Sequence, residues 1–392
     1  MKILKLGDIC EISTGSTDTK DASENGQYPL FDRSKKVKAS DKYLFDCEAL
    51  IMPGEGAEFL PRHYIGKFDL HQRAYAMYNF SELINPQFLY YYLISIKNYF
   101  ADNAVGATVK SLRRRHFTDL EVPLPFLEKQ KEIVEKLDSA FAEIDLLEGN
   151  LEIEDEHANQ LSQSLLSTAL VSNKDSVEPI SPSIHREIAM KKVKLSDICT
   201  FSRGLTYSKS DEVDFSNNVV LRAGNIDLET NSLIFEDLRY IKDSIEIKEE
   251  KIAKKNSIMI CTASGSKSHV GKVALIDEDY GYAFGGFMGL LTPTDKCHPK
   301  FLYYILTSGL FKDFLMSLND GTNINNLKFS DIENFEVLLP SIEKQREIIN
   351  KLDSTFAEIK SLKLNLKEKR YLVTALRESL LSSAFTQEEA VA

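Results

Sequence analysis

Three stretches carry side chains whose types and spacing suit recognition of a polyanion or of base edges. The first is Lys110-Ser111-Leu112-Arg113-Arg114-Arg115-His116, just after Gly106-Ala107-Thr108. A guanidinium offers a fork of donors that fits two phosphate oxygens or the O6 and N7 of guanine. The competing reading of Lys110, Arg113, Arg114 and Arg115 is a solvated face, or one matched to acidic neighbours. The second stretch is Ser264 to Lys272, a small-residue loop carrying Lys267, His269 and Lys272. Its counterpart begins at Pro53-Gly54-Glu55-Gly56 and supplies Arg62, His63 and Lys67. An ordinary hairpin loop is the alternative for both. The third is Gly321 to Lys328, with Asn323, Asn325, Asn326 and Lys328. Asparagine amides can read adenine edges, and they also build turns.

Catalytic signatures are missing. Gly265 to Gly271-Lys272 has the wrong spacing for a phosphate-binding loop, and neither G-x-S-x-G nor H-E-x-x-H occurs. No glycine-rich dinucleotide loop follows a strand. Asn85-Pro86-Gln87-Phe88 lacks the second proline of the Asn/Asp-Pro-Pro-aromatic motif of amino-methyltransferases. The five cysteines (Cys10, Cys47, Cys199, Cys261, Cys297) form no C-x-x-C pair. Neither a zinc site nor a disulfide framework is expected, so no metal ligands are assigned. No run of about 18 apolar residues is present and no leader is read at the N-terminus, so a reducing cytoplasm is expected. Jointly, these absences favour a binding protein over an enzyme.

The net charge of −11 argues by itself against a nucleic-acid partner. Its distribution reverses the argument. Residues 128–156 hold eleven acidic residues against three lysines, which leaves the remainder near neutral and free to carry local basic patches.

The elements that must position these groups come as a repeat. Residues 122–144 read VPLPFLEKQKEIVEKLDSAFAEI and residues 337–359 read VLLPSIEKQREIINKLDSTFAEI, identical at 16 of 23 positions. Upstream, Leu6-Gly7-Asp8-Ile9-Cys10 matches Leu195-Ser196-Asp197-Ile198-Cys199, and Gly15 falls opposite Gly204. Phe88-Leu89-Tyr90-Tyr91 matches Phe301-Leu302-Tyr303-Tyr304. The offset grows from 189 to 215, so the second copy carries 26 extra residues between shared landmarks. One scaffold written twice with different middles implies two different reading surfaces.

Each copy reads as an α+β domain. Apolar runs ending at Pro53-Gly54 and at Cys261 suggest strands entering loops. Pro86 to Ile96 and Pro299 to Thr307 suggest helices with proline at their first position, their aromatic stripe packed in the core. Pro125 and Pro340 should end a strand. A long helix then follows, with Glu128 or Glu343 in its first turn. Its apolar stripe is Ile133, Leu137, Phe141, Ile144, Leu147 and Leu151 in the first copy. In the second it is Ile348, Leu352, Phe356, Ile359, Leu362 and Leu366. Such a narrow stripe needs a partner, and about 40 helical residues would span about 60 Å. Residues 341–370 hold eight basic and five acidic residues, which favours pairing the two helices with each other over packing each on its own domain. The expected organisation is a domain over 1–125, a spacer helix over 126–170 and a linker over 171–190. A second domain over 191–340 and a second helix over 341–385 follow, with the helices antiparallel and the halves related by a pseudo-two-fold axis.

Pro125-x-x-Glu128-x-Gln130-x-x-Ile133-x-x-Lys136-Leu137-Asp138 and its repeat from Pro340 to Asp353 resemble the helical regions of type I restriction-modification specificity subunits. So do Leu6-x-Asp8-Ile9, Leu195-x-Asp197-Ile198 and the runs from Gly106 to Pro125 and from Gly321 to Pro340. The resemblance covers essentially the whole chain. It implies two target recognition domains, each reading half of a split sequence in double-stranded DNA. It also implies an antiparallel coiled coil that spaces the domains and docks two methyltransferase subunits, with restriction subunits able to join. No cofactor belongs to this chain; S-adenosylmethionine would enter with the methyltransferase. The resemblance does not assign base contacts, since the reading regions vary. A two-module scaffold for protein partners is the alternative.

Overall fold

The computed structural model describes residues 2–171, 191–265, 269–318 and 326–389. Of the linker read above over 171–190, residues 172–190 lie outside the described residues. Two compact units divide the chain, Met1–Ile153 with Leu366–Ala392 and Glu154–Asn365, so the division falls inside both long helices.

The first copy begins with β1 (Lys2–Lys5), the one-turn α1 (Leu6–Ile9) and β2 (Glu11–Thr14). There follow β3 (Tyr28–Phe31), β4 (Lys38–Ser40), β5 (Phe45–Pro53), β6 (Arg62–Leu70) and β7 (Ala74–Tyr78). Helices α2 (Pro86–Ser95), α3 (Lys97–Asn103) and α4 (Arg115–Thr118), strand β8 (Glu121–Leu124) and the long α5 (Leu127–Val171) complete it. A six-stranded sheet runs β2-β7-β5-β6-β3-β4. Its pairs are antiparallel apart from β3 with β6, where Phe31 lies opposite Leu70. Strand β8 closes on β1, with Lys2 opposite Leu124.

The second copy opens with β9 (Lys191–Lys194), β10 (Cys199–Arg203), β11 (Glu212–Val213), β12 (Asn218–Leu221) and β13 (Arg239–Ile241). Next come β14 (Ile258–Cys261), β15 (Val273–Leu275), β16 (Ala283–Phe284) and β17 (Met288–Pro293). It ends in α6 (Pro299–Thr307), α7 (Gly309–Ser317), α8 (Phe329–Ile332), β18 (Glu336–Leu339) and the long α9 (Ile342–Glu389). Among the described residues the large sheet is split in two, β10-β17-β14-β15 and β11-β13-β12-β16. The break falls where β6 would be. Its first half corresponds to β15 on β14 and its second half to β16, parallel to β12. The turn-forming run Asp277-Glu278-Asp279-Tyr280-Gly281 separates them.

Strand registers locate most of the 26-residue excess. Twelve positions separate the partners Tyr28 and Ser40, while 23 separate the equivalent partners Asn218 and Ile241. Leu50 pairs with Met77 and Ile258 with Leu291, which makes Leu50 and Ile258 equivalent. Ten positions then separate Ser40 from Leu50, against 17 from Ile241 to Ile258. The extra chain sits mainly in the connections on either side of β13.

The repeated glycines have a steric cause. A Cβ on Gly15 would lie 1.7 Å from the Leu70 carbonyl oxygen, and one on Gly204 would lie 2.0 Å from that of Gly285. Only glycine lets these backbones approach so closely.

Both prolines at helix starts stand where expected. The Asn85 side chain caps α2 by accepting from the Phe88 N–H (3.1 Å). The His298 ring caps α6 by accepting from the Lys300 N–H (3.2 Å). Phe88, Leu89, Tyr91 and Leu93 are buried, so the aromatic stripe is core. The prolines before the long helices also end strands, β8 at Leu124 and β18 at Leu339.

Gln130 and Gln345 explain the repeated motif. Both are fully buried. Gln130 donates to the carbonyls of Leu83 and Pro125 (2.9 Å each) and accepts from the Asn85 N–H at 2.8 Å. Gln345 does the same with Lys296 and Pro340 (3.0 Å each) and the His298 N–H at 2.7 Å. Each amide thus ties the start of a long helix to the start of the aromatic helix. About two turns further along each long helix, the Tyr91 hydroxyl donates to Asp138 and the Tyr304 hydroxyl to Asp353. Burial, and then the carboxylate, push both phenols well above their usual range.

The long-helix stripe serves two surfaces. In the first unit Ile133, Leu137, Phe141 and Ile144 join the domain core, and Leu381 and Phe385 from the end of α9 join the same cluster. Arg377 donates to Asp145 and Glu148 and sits 4.9 Å from the Phe141 ring centroid. Arg370 reaches the Leu151 carbonyl at 3.2 Å. As α5 numbering rises, α9 numbering falls, so the pairing inside this unit is antiparallel. In the second unit Leu166 and Leu170 share a core with Ile349 and Leu352, and Lys363 contacts Asn159.

Helix pairing and packing on the parent domain therefore both occur. Two stripe positions need correction: Leu147 and Leu362 are 48 % and 43 % exposed. Strict spacing places them in the stripe, but a helix wedged against a domain and a second helix buries a face that drifts from a two-helix seam. Opposite charge does meet between the helices, and with Arg377 on Asp145 and Glu148 it extends beyond the basic window at 341–370.

Candidate nucleic-acid interface

One corner of each domain gathers arginines around a carboxylate. In the first domain β3 ends at Phe31 and the buried Asp32 builds the following turn. Its carboxylate accepts from the Ser34 N–H and from the Lys38 ammonium, both at 2.7 Å. Burial opposes its ionisation, but these donors outweigh burial and hold the carboxyl below its ordinary value. The turn presents Arg33. From the β5–β6 connection comes Glu55, almost fully buried. It accepts from Arg33 at 3.2 Å and from Arg73 at 2.7 Å, and both arginine side chains are more than half exposed.

The second domain repeats the backbone frame. The Gly54 N–H donates to the Arg73 carbonyl (2.8 Å) and the Thr262 N–H to the Phe287 carbonyl (2.9 Å). The Leu112 N–H donates to Gly54 and the Leu327 N–H to Thr262, both at 2.7 Å. Bridges join Glu55 to Ser111 and Ala263 to Asn326. Ala263 therefore occupies the place of Glu55, and Phe287, 72 % exposed, the place of Arg73. A cleft of about 780 Å³ opens at this corner, lined by Tyr207, Lys209, Arg222, Arg239, Gly265 and Phe287 among others. Arg222 and Arg239 both approach Asp237, at 3.2 and 3.7 Å. The Nε atoms of both arginines are buried without a hydrogen-bond partner.

The residues singled out from sequence are distributed unevenly. Lys110 is at this corner, its carbonyl accepting from the Gly56 N–H at 3.0 Å. Arg113, Arg114 and Arg115 are exposed as α4 begins. The Arg113 N–H donates to His116 Nδ1 at 3.0 Å. Burial and the neighbouring Arg115 and Arg113 lower the His116 pKa, which keeps that nitrogen an acceptor.

Arg62 is half-buried and holds the Asp32 turn by donating to the carbonyls of Ser34 and Lys35. The His63 ring nitrogens engage Gln87 (2.7 Å) and Glu48 (2.8 Å), which joins β6 to α2 and β5. Lys67 rests 4.6 Å from the Tyr43 ring centroid. The Lys272 ammonium donates to the Leu228 carbonyl at 2.6 Å. Burial and then Lys312 lower its pKa. Asn326 and Lys328 are exposed, and His269 is half-buried. Lys267, Asn323 and Asn325 lie outside the described residues.

Sequence reasoning missed Arg33, Arg73, Arg222, Arg239 and Phe287. They are single residues scattered through polar loops, and sheet pairing alone brings them together. Among the described residues, no group of three or more His, Cys, Asp or Glu could hold a metal ion. No helix among them is long and apolar enough to cross a membrane.

The family model for the type I restriction modification DNA specificity domain matches residues 1–155 and 187–369. The type I restriction enzyme EcoDI specificity subunit of Escherichia coli is 23 % identical over 405 residues, covering 99 % of this chain and 88 % of that protein. The StySPI specificity subunit of Salmonella potsdam is 30 % identical over 196 residues, 48 % of this chain and 41 % of that one. A solved structure describing complex assembly and conformational transition of the type I R-M system superposes with a TM-score of 0.72 at 16 % identity. It covers 98 % of this chain and 97 % of its own. The HsdS subunit from Thermoanaerobacter tengcongensis gives 0.53 at 16 % identity, covering 98 % and 96 %.

Proposed function

This chain belongs to the type I restriction modification DNA specificity family, and from that premise we propose that each domain reads one half of a two-part DNA target while the paired helices set the spacing. It is a DNA sequence-specificity subunit, and it acts with DNA and the other subunits of its complex. Chemistry is assigned to those partners: a methyltransferase that carries S-adenosylmethionine and, where present, an endonuclease. A scaffold engaging protein partners alone is not favoured.

One observation carries the division of labour. The same backbone frame occurs twice, and at the same corner the two copies differ in loop length and side chains, Glu55 and Arg73 against Ala263 and Phe287. Two equivalent frames with different surfaces suit two different half-sites. Helix α5 has 45 residues, about 68 Å at 1.5 Å per residue. That exceeds a DNA turn of about 34 Å, so an unread gap between half-sites follows. Two methyltransferase subunits are assigned to the helices. In the first unit Leu146, Tyr371, Leu372 and Leu376 stay exposed after the helices pair, and apolar groups of this kind suit a docking surface.

Co-expression of the chain with its methyltransferase, followed by mapping of methylated genomic positions, tests the proposal. The expected result is a motif of two fixed half-sites around a gap of fixed length; a single uninterrupted motif overturns it. The exposed run Arg113-Arg114-Arg115 is assigned to phosphate binding. Replacing all three by alanine should weaken DNA binding by the assembled complex uniformly across sequences. The slope of log K against log salt should fall by up to about 3, roughly 0.9 for each phosphate no longer neutralised. Equal slopes for the two proteins remove the run from the interface.

A further inference from the structure

We propose that the two arginine–carboxylate–arginine clusters, Arg33–Glu55–Arg73 and Arg222–Asp237–Arg239, are base-reading elements, one for each half-site, and that each takes a guanine edge. The inference rests on the two-half-site reading above.

The chemistry begins with donor supply. A guanidinium carries five N–H donors, and guanine shows two acceptors, O6 and N7, in the major groove. In each cluster one carboxylate meets two guanidiniums, which leaves a net positive charge. Asp237 engages one Nη of Arg222 and one of Arg239, and both side chains line the cleft; the Nε of each is buried and takes no part. Donor capacity is therefore left over, facing the cleft.

The carboxylates position the arginines. A free arginine loses considerable rotamer entropy on binding, and holding it beforehand removes part of that cost. Stability does not account for the Arg222–Asp237–Arg239 pairs, because ion pairs this exposed contribute little. The arginines are a third to two-thirds exposed, as a reading group must be.

The two clusters have different origins. The first arginine of each follows an equivalent strand, β3 or β12. The other members do not correspond, since Ala263 and Phe287 occupy the places of Glu55 and Arg73. The second domain instead takes Asp237 from the lengthened β12–β13 connection and Arg239 from the start of β13. The same group assembled at the same corner from non-equivalent residues points to a shared task.

The test uses the full-length chain with its methyltransferase and two variants, Arg33→Lys and Arg222→Lys, which keep the charge and remove the fork. In methylation maps, Arg222→Lys should make one G·C position degenerate in one half-site, with a roughly 5- to 150-fold loss of discrimination there. The other half-site and the gap should not change, and Arg33→Lys should affect the opposite half-site. Where methylation is too weak to map, the assembled complex is challenged with competing duplexes in which that G·C pair is replaced, giving the same readout. A map identical to that of the unaltered protein overturns the proposal. So does a loss spread evenly over all sequences, which identifies binding to phosphate. Failure of the underlying reading looks different: the unaltered protein itself then lacks two half-sites.

Discussion

Replacing Gln345 by leucine should lower the stability of the second domain by about 3–6 kcal/mol, and replacing Gln130 should do the same to the first. Each glutamine is wholly buried and makes three hydrogen bonds to backbone groups. Leucine fills much the same volume but satisfies none of them. One N–H and two carbonyls would then lie unpaired in an apolar setting, each costing about 1–3 kcal/mol. A typical domain has only about 5–15 kcal/mol in total, so the change approaches global unfolding. Glutamate is no rescue. Its carboxylate can accept from the His298 N–H, but it would face the carbonyls of Lys296 and Pro340 without a donor. Two domains need not unfold together, so a local probe is preferable. Hydrogen exchange at the His298 amide should accelerate by at least about 100-fold in Gln345→Leu, following from the opening energies above. An exchange rate within a factor of about five of the unaltered protein would reduce the repeated motif to a packing detail.

Lengthening the helix pair should lengthen the unread gap in the target without changing either half-site. The insertion must enter both helices. The sequence alone suggests adding one or two turns after Ile144. In the structure Asp145 and Glu148 meet Arg377, and Leu151 meets Arg370. Extra residues after Ile144 alone would carry these groups out of register. Seven residues placed after Ile153 in α5 and seven before Leu366 in α9 leave the contacts of the first unit intact. A heptad nearly restores the facing of each helix, with a drift of about 20°. It adds about 10.5 Å, close to three base pairs at about 3.4 Å each. Methylation maps should therefore show a gap about three base pairs longer. An unchanged gap with full methylation would show that helix length does not set spacing; altered half-sites would show that the domains are not independent readers. The one-helix insertion should instead lose methylation everywhere, because the paired surfaces no longer meet.

What was legible in the sequence was whatever local pattern encodes. Duplication, strand-ending prolines, capped aromatic helices and long amphipathic helices are written in residue spacing, because a 3.6-residue period and a missing N–H act within a few positions. The motif around Gln130 and Gln345 was visible as a repeat, and it carried the family resemblance. Its cause was hidden, since the carbonyls it satisfies at Leu83 and Lys296 lie 47 and 49 positions upstream. The seam positions Leu147 and Leu362 were misjudged because helix period alone does not say how many surfaces a helix must face.

The recognition groups divide along the same line. Arg113, Arg114 and Arg115 drew attention as a run of like charge, a feature that needs no fold to be seen. Arg33 and Arg73 are 40 positions apart, and Arg222 and Arg239 are 17 apart; nothing in their neighbourhoods distinguishes them. Parallel pairing of β3 with β6, and of β12 with β16, draws these loops to one corner. The sequence by itself determined that there are two copies, where their helices begin, and that they differ in the middle. Tertiary structure decided which side chains meet, because hydrogen-bonded strands join residues by register, and register is a long-range property that no local spacing records.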